Sequence, residues 1–227
     1  MISVIIPTYN ESACIEGLIH YLKKNAADNS IEIIVSDAGS TDNTLQLAKH
    51  AGATALISPQ KGRAAQMNYG TSLATGSVFY FVHADSFPPP GFVKDIETAV
   101  KNGYDAGRYQ TKFLSNKLLL RFNAFFTRFN LFECYGGDQT LFVTHSFFKK
   151  IKGFDESKII MEDYDITKRI QEAGRYKIFS KHALVSARKY ENNSWLTVQR
   201  ANFTAIKMYK KGFSTREIAS AYSAMLR

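Results

Sequence analysis

The sequence predicts an α/β fold in which a mostly parallel central sheet is flanked by helices. Short runs rich in Ile and Val alternate with segments of helical periodicity, as in parallel sheets covered on both faces. The run from Val78 to Val82 is apolar without interruption, which is typical of a strand buried on both faces. Polar segments follow these runs directly, so the ends of the strands are where we look for chemistry.

The first 85 residues predict four strands with helices between them. Strands are predicted at residues 3–7, 31–37, 54–58 and 77–82. The first helix has Ile15, Leu18, Ile19 and Leu22 on one face, so it forms a βαβ unit with the first two strands. Further helices are predicted at 42–50 and 63–75, each ended by a glycine two or fewer residues later.

The pattern beyond residue 100 is less regular. It predicts strands at 104–110 and 139–144, a helix-like segment at 116–132, and helices at 163–173 and 195–211 that glycines terminate. We therefore expect one domain over residues 1–190. Residues 191–227 are expected to form a basic amphipathic helical appendage, packed on the domain or extending from it.

Composition restricts the function classes. The chain has 227 residues and a formal charge of +9, and residues 1–60 carry three Lys or Arg against six Asp or Glu, so the positive field belongs to the later chain. Such a field attracts nucleotide phosphates, nucleic acid or an anionic membrane surface. Two cysteines imply no disulfide framework, and no segment approaches the roughly 20 apolar residues of a membrane span. We expect a cytoplasmic protein without a signal peptide.

Three polar motifs begin where predicted strands end: PTYNES, SDAGSTD and HADS. In open α/β sheets the ligand crevice lies outside the carboxyl ends of the strands, so these motifs are expected to line one cleft. Asn10 and Ser12 are equally suited to capping the next helix, and Asp42 or Thr41 to capping the one after. Tyr9 and Glu11 suit a nucleoside instead, and the Asp37 carboxylate could accept a hydrogen bond from a base.

The motif series SVIIPTYNE, SDAGSTD, FVHADS and GGDQ followed by MEDYDITKRI resembles family 2 glycosyltransferases with the GT-A fold, over about residues 2–175. The HAD and GDQ variants resemble a small subfamily labelled arsenosugar-biosynthesis glycosyltransferases. The resemblance implies an inverting enzyme that uses a nucleoside-diphosphate sugar, with a UDP-sugar favoured. The residues implied to hold this donor are Pro7, Thr8, Tyr9, Glu11, Asp37, Arg63, His83, Ala84 and Asp85.

The resemblance also implies a metal and a base. Asp85 is implied to bind Mg²⁺ or Mn²⁺ at the diphosphate, and one or two carboxylates suffice for such a cation. The family commonly has two aspartates around one residue, whereas His83 replaces the first of them here, as a ribose contact or a weak ligand. Asp163 is the first choice of base for the acceptor hydroxyl and Glu162 the second, although both residues also suit a helix N-terminus.

The sequence is compatible with several partners and several alternative functions. Gly137, Asp138 and Gln139 are expected either to bind the sugar or acceptor or to form a hairpin turn. The aromatic segment 118–132 and the basic segment after Trp195 suit packing, a hydrophobic acceptor pocket or an anionic membrane surface. A homodimer is also left open. The rival functions are a sugar-nucleotide nucleotidyltransferase, a silent nucleotide-sugar binder and a nucleic-acid module, and we expect no nucleic-acid partner.

Overall fold

A computed structural model describes residues 1–26, 31–136 and 139–226. The strands in chain order are β1 (Ile2–Thr8), β2 (Ile31–Asp37), β3 (Thr54–Ile57), β4 (Val78–Phe81), β5 (Ser86–Phe87), β6 (Ala106–Phe113), β7 (Leu141–Thr144) and β8 (Tyr176–Val185). A 3₁₀ turn covers Phe132–Cys134. The helices are α1 (Ile15–Asn25), α2 (Thr44–His50), α3 (Arg63–Leu73), α4 (Phe92–Lys101), α5 (Leu118–Phe126), α6 (His145–Lys150), α7 (Glu162–Ala173), α8 (Lys189–Asn192), α9 (Trp195–Lys210) and α10 (Thr215–Met225).

The strands of the described residues form one eight-stranded sheet in the order β3-β2-β1-β4-β7-β6-β8-β5. The four strands of the N-terminal half pair in parallel, as predicted. β7 then runs antiparallel to both β4 and β6, and β5 runs antiparallel to β8. The sheet is therefore mixed, and its parallel half brings the ends of β1, β2 and β4 to one edge.

The core lies on both faces of this sheet. Every residue of β1 is buried, because alternate side chains point to opposite faces and both faces are covered by helices. On one face α1 packs its apolar stripe, including Leu18 and Leu22, against the sheet. On the other face Met67 of α3 joins Phe79 and Phe148 in a second cluster. The predicted α/β class is thus confirmed.

The helix α4 and the strand β8 are among the elements that have no counterpart in the sequence predictions. The helix α4 starts immediately after three prolines and Gly91, whose left-handed backbone (φ 75°) turns the chain into the helix. The strand β8 is half exposed over much of its length and includes Lys177, Lys181 and His182, so it lacks an apolar signature. It nevertheless pairs with β6, because its neighbours in the sheet stabilise the strand despite its weak local strand propensity.

The predicted helix at 116–132 is shorter in the structure. α5 ends at Phe126, and the buried Arg108 guanidinium donates hydrogen bonds to the carbonyl oxygens of Thr127 and Phe129. Those carbonyls are therefore bound by a side chain from β6 rather than by a continuing helix. Arg108 fixes the chain where it leaves α5.

The C-terminal helices pack on the rest of the protein. In α9, Ala205 and Ile206 form a small core with Met161 and with Ile218 of α10. The α10 helix begins with a capping box, in which Ser214 and Glu217 satisfy each other's backbone N–H groups. Residues 191–226 therefore cover the start of α7, where the predicted base lies.

Candidate active site

A polar cleft of about 370 Å³ lies at the carboxyl ends of β1 and β4. Its lining includes most residues predicted to hold the donor. The predicted residues found there are Pro7, Thr8, Tyr9, Glu11, Arg63, His83, Ala84 and Asp85. The sequence did not single out the other lining residues, which are Gln66, Ser186, Arg188 and Lys189. The Tyr9 ring is exposed and Lys61 lies over it, with the ammonium 5.8 Å from the ring centroid.

The loops after β1 and β2 are braced to each other. Asn10 adopts a left-handed backbone (φ 54°), which asparagine tolerates better than most residues. Its amide N–H donates to Ser40 Oγ and its side-chain oxygen accepts from Thr41 N–H. The capping role considered for Asn10 and Ser12 is wrong, because Cys14 precedes α1 and makes no side-chain cap. Asn10 instead ties two strand ends together.

Asp37 supports this bracing from beneath the cleft. Its carboxylate is 1% exposed and accepts four hydrogen bonds, from Thr8 Oγ1, Gly39 N–H, and the N–H and hydroxyl of Ser40. A carboxylate has about four lone-pair sites, so all are occupied. Among the residues predicted to hold the nucleotide sugar, Asp37 is the one that does not line the cleft. A direct hydrogen bond from a base to its carboxylate would have to replace one of these four hydrogen bonds.

Gln66 joins the same two strands from α3. Its side chain is buried and its amide nitrogen donates to the carbonyl oxygens of Thr8 (2.8 Å) and Ser36 (2.7 Å). The amide therefore bridges the last residue of β1 and the last but one of β2. Sequence reasoning missed Gln66, because a glutamine inside a helix carries no local signal of burial.

Arg188 reaches the cleft through the unpredicted strand β8. Val185 pairs with Ser86 of β5, and Ser186 N–H donates to the carbonyl oxygen of Asp85, so the chain beyond β8 passes beside the HADS segment. The Arg188 Nη2 atom lies 3.0 Å from both Glu11 and Asp85 carboxylates. One guanidinium thus compensates two acidic side chains that follow different strands.

Burial raises the pKa of Glu11 above its ordinary value, the Arg188 cation opposes this shift, and Asp85 adds to it. The Glu11 and Asp85 side chains are only about one-fifth exposed, whereas Arg188 is half exposed. Two partly buried carboxylates side by side repel each other unless a cation lies between them. The cleft is therefore built around a position for positive charge.

The described residues contain no group of three or more His, Cys, Asp and Glu side chains suited to a metal ion. A fully protein-bound metal site is therefore not present in that part of the chain. The residues do fit a cation shared with a phosphate ligand, since Asp85 and Glu11 offer hard carboxylate oxygens at one point of the cleft.

A second, larger compartment adjoins the cleft. This apolar chamber of about 940 Å³ is bounded by α5, the segment 159–164, α9 and α10, and its lining includes Glu162 and Asp163. Arg63 lines both compartments, and its Nη1 atom lies 3.5 Å from a Glu162 carboxylate oxygen. The predicted donor residues and the predicted base are thus brought to adjoining spaces.

Glu162 and Asp163 differ in their surroundings. Met161 has a left-handed backbone (φ 69°), an uncommon conformation for a non-glycine residue, and α7 starts directly after it. Glu162 is 4% exposed, and burial raises its pKa while Arg63 opposes that shift. Asp163 is partly exposed on the chamber wall. Asp165 pairs with Arg169 at 2.8 Å.

Of the predicted GGDQ residues, Gly137 and Asp138 lie outside the described part of the chain. Gln139 lines the apolar chamber, and its amide nitrogen donates to the carbonyl oxygen of Cys134 (2.7 Å). Gln139 therefore lines the same compartment as Asp163, where the proposed acceptor role remains a prediction.

Residues 3–150 match the family described as Glycosyl transferase family 2, and the chain belongs to that family. It is 32% identical over 109 residues to the dolichol-phosphate mannosyltransferase of Pyrococcus furiosus, covering 46% of this chain and 31% of that protein. It is 24% identical over 196 residues to the succinoglycan biosynthesis protein ExoA of Rhizobium meliloti, covering 78% and 59%. The chain thus spans 31% and 59% of the length of these two relatives. They do not single out the arsenosugar subfamily.

Solved structures confirm the GT-A fold. The mannosyltransferase PcManGT of Pyrobaculum calidifontis, in complex with GDP-mannose and Mn²⁺, superposes with a TM-score of 0.69 at 18% identity, covering 99% of this chain and 69% of that one. TarS of S. aureus in complex with UDP-GlcNAc gives 0.68 at 18% identity, covering 99% and 71%. Among the helices that the structure describes, none combines the length and apolar character that crossing a membrane requires.

Proposed function

We propose that this chain transfers a sugar, with inversion, from a nucleoside-diphosphate sugar to an acceptor hydroxyl. One observation carries the proposal: a polar cleft centred on Glu11, Asp85 and Arg188 adjoins a compartment whose lining includes Glu162 and Asp163, and Arg63 lines both. Donor and acceptor sites must meet at one point for sugar transfer, and this arrangement supplies such a point.

The polar cleft is the proposed donor site. The exposed Tyr9 ring offers a stacking surface for the nucleobase, with Thr8 and Pro7 beside it. The guanidinium groups of Arg188 and Arg63 would hold the diphosphate, since their N–H groups match phosphate oxygens. His83 and Ala84 are assigned to the ribose side of the cleft. UDP-sugars are our first choice of donor because TarS was solved with UDP-GlcNAc, although PcManGT holds GDP-mannose.

A divalent cation is the proposed cofactor, held by Asp85 with Glu11 next to it. When bound, Mg²⁺ or Mn²⁺ would neutralise charge that develops on the departing diphosphate. Arg188 would then release its contacts with these carboxylates and turn its N–H groups to the phosphate oxygens. The PcManGT complex with Mn²⁺ supports this assignment by similarity of fold.

Asp163 is the proposed base that removes the proton from the acceptor hydroxyl during attack on the anomeric carbon. Its partial exposure on the chamber wall suits contact with an incoming acceptor. Glu162 is buried and paired with Arg63, so we assign it the positioning of that arginine. Inversion follows from the family resemblance and corresponds to a single in-line displacement.

The proposal is tested by measuring turnover of UDP- and GDP-sugars with and without Mn²⁺ in the native chain and its variants. Asp163→Asn is expected to lower kcat about 10²- to 10⁴-fold while leaving donor affinity within about threefold, since a base contributes to the chemical step. Asp85→Ala is expected to abolish metal stimulation. Full activity in both variants would refute the assignments, and donor binding without any turnover would favour a silent binder.

We also propose contact of the α5 surface with an anionic bilayer. This surface comprises Leu118, Leu119, Arg121 and Arg128, and its two leucines are 74% and 51% exposed. Exposed apolar side chains interleaved with arginines are the composition of interfacial helices. Residues Arg200 and Lys207 of α9 are also exposed and add to the positive charge of the later chain.

This contact is tested by co-sedimentation with vesicles of phosphatidylcholine, alone or mixed with phosphatidylglycerol. We expect binding only to the mixed vesicles, weakened about tenfold or more in a Leu118→Ser/Leu119→Ser variant and lost at high salt. Equal recovery with both vesicle types would contradict the proposal. If the variant instead converts a dimer to a monomer in light scattering, the α5 surface is a homodimer interface.

A further inference from the structure

The apolar chamber is large and mostly hydrocarbon-lined. Its volume of about 940 Å³ lies at the upper end of the range for small-molecule sites. Phe122 and Phe126 of α5 form one wall, and Trp195 and Phe203 of α9 form another. Phe122 is 56% exposed and Phe203 68%, so these rings border the opening of the chamber and remain accessible to a ligand.

Charged groups on the chamber wall already have partners within the protein. Glu133 pairs with Lys210, and the Lys189 ammonium donates to the hydroxyl of Tyr222. The Trp195 indole N–H donates to the side-chain oxygen of Asn123. The amide side chains of Gln139, Gln199 and Asn202 on the wall are likewise bonded to neighbouring groups, so a ligand rich in hydroxyl groups would have to compete for them. A hydrocarbon chain needs none of these bonds, and its burial is favourable.

The chamber lining also includes Asp163, the proposed base. Ile160 and Met161 belong to its wall, and the next two residues are Glu162 and Asp163. A molecule whose apolar part lies between α5 and α9 therefore has its other end beside the proposed base. The acceptor hydroxyl is expected at that position, because Arg63 lines both this chamber and the polar cleft proposed for the donor.

We propose that the chamber binds the hydrocarbon chain of an amphipathic acceptor, whose hydroxyl-bearing head lies at Asp163. This inference rests on the proposed sugar transfer for the role of the head, whereas binding of the chain can be measured by itself. It names the acceptor class as a lipid-like alcohol rather than a free sugar, a polysaccharide or a protein.

The chain offers a built-in reporter for this site. Trp195 is the single tryptophan of the sequence and it lines the chamber. Titration of the native protein with hexyl, octyl and decyl glucosides, each below its micelle concentration, is expected to change Trp195 fluorescence saturably. The affinity is expected to rise about two- to fourfold per added methylene, as burial of hydrocarbon predicts. An affinity that does not depend on chain length would overturn the proposal.

Two phenylalanines of α5 form a matched pair for the second test. Phe122 lines the chamber, whereas Phe125 lies outside it against the Arg128 guanidinium, and both rings are about half exposed. Phe122→Ser is expected to weaken octyl glucoside binding about tenfold and Phe125→Ser less than twofold, with both variants keeping the native circular dichroism spectrum. Equal losses in the two variants would overturn the proposal.

Donor measurements separate this inference from the proposed function. Chain-length-dependent binding without donor binding or donor turnover would refute the transferase proposal and leave the hydrocarbon site established. Donor turnover with glucosides at rates that do not depend on the alkyl chain would support the transferase and refute the hydrocarbon site.

Discussion

The polar cleft and the apolar chamber share Arg63 but are built in different ways. The cleft is formed by loops at the ends of parallel strands, cross-linked by Asn10, Asp37 and Gln66. The chamber is formed by helices α5, α9 and α10, and the surface that they present to it is mainly apolar. A rigid polar frame suits a charged ligand of fixed geometry, and an apolar, partly exposed wall suits ligands of variable length.

The sharpest test of this contrast compares two glutamines. Gln66→Met removes both bonds from a buried amide and is expected to cost about 1–3 kcal/mol of unfolding free energy. Gln199→Met, on the chamber wall, loses one long contact to Tyr190 (3.4 Å) and is expected to cost less than about 0.5 kcal/mol. Urea denaturation of both variants measures the difference. Equal costs would show that the cleft is not the more tightly braced region.

A second test concerns Arg188 in the polar cleft, whose removal is expected to change donor affinity and metal affinity in opposite directions. Arg188→Gln removes the cation that separates Glu11 from Asp85, so donor binding is expected to weaken about tenfold. The same change leaves both carboxylates without this partner, so Mn²⁺ alone is expected to bind more tightly. Calorimetry measures both affinities, with Arg200→Gln as the control for loss of charge. Weaker binding of both ligands would point to a collapsed cleft instead.

The smallest expected effect concerns Glu162, at the border of the two compartments. Burial raises its pKa above the ordinary 4.5, although Arg63 opposes the shift. In the interval between the unfolded and folded pKa values the native state binds more protons, so stability falls as pH rises through it. Glu162→Gln removes the titrating carboxyl group and therefore this loss of stability. The variant is therefore expected to melt a few degrees above the native protein at pH 7 and at the same temperature below about pH 4.

A thermal-shift series from pH 4 to pH 8 measures that difference. Asp163→Asn is the neighbouring control, because Asp163 is partly exposed whereas Glu162 is buried. A Glu162→Gln variant that is less stable at pH 7 than at pH 4, relative to the native protein, would mean that the pairing with Arg63 outweighs burial.

Much of the polar cleft could be predicted from sequence, whereas the position of Arg188 and the hydrogen bonds of Asp37 could not. Tyr9, Glu11 and Asp85 follow buried strands directly, so a one-dimensional pattern places them at the sheet edge. Arg188 escaped prediction because β8 lacks an apolar run, and its position depends on pairing with β5. Asp37 was assigned to the ligand because its hydrogen-bond partners come from a loop that the pattern does not resolve.

The sequence by itself determined the α/β class, the family and the edge of the sheet where polar residues gather. These features depend on hydrophobic periodicity and on residues adjacent to their own strands. Only the tertiary structure decided that Arg188 compensates Glu11 and Asp85, and that α5, α9 and α10 enclose a space beside Asp163. Such contacts join residues that are distant along the chain, and their geometry is fixed by the packing of whole elements rather than by any local pattern.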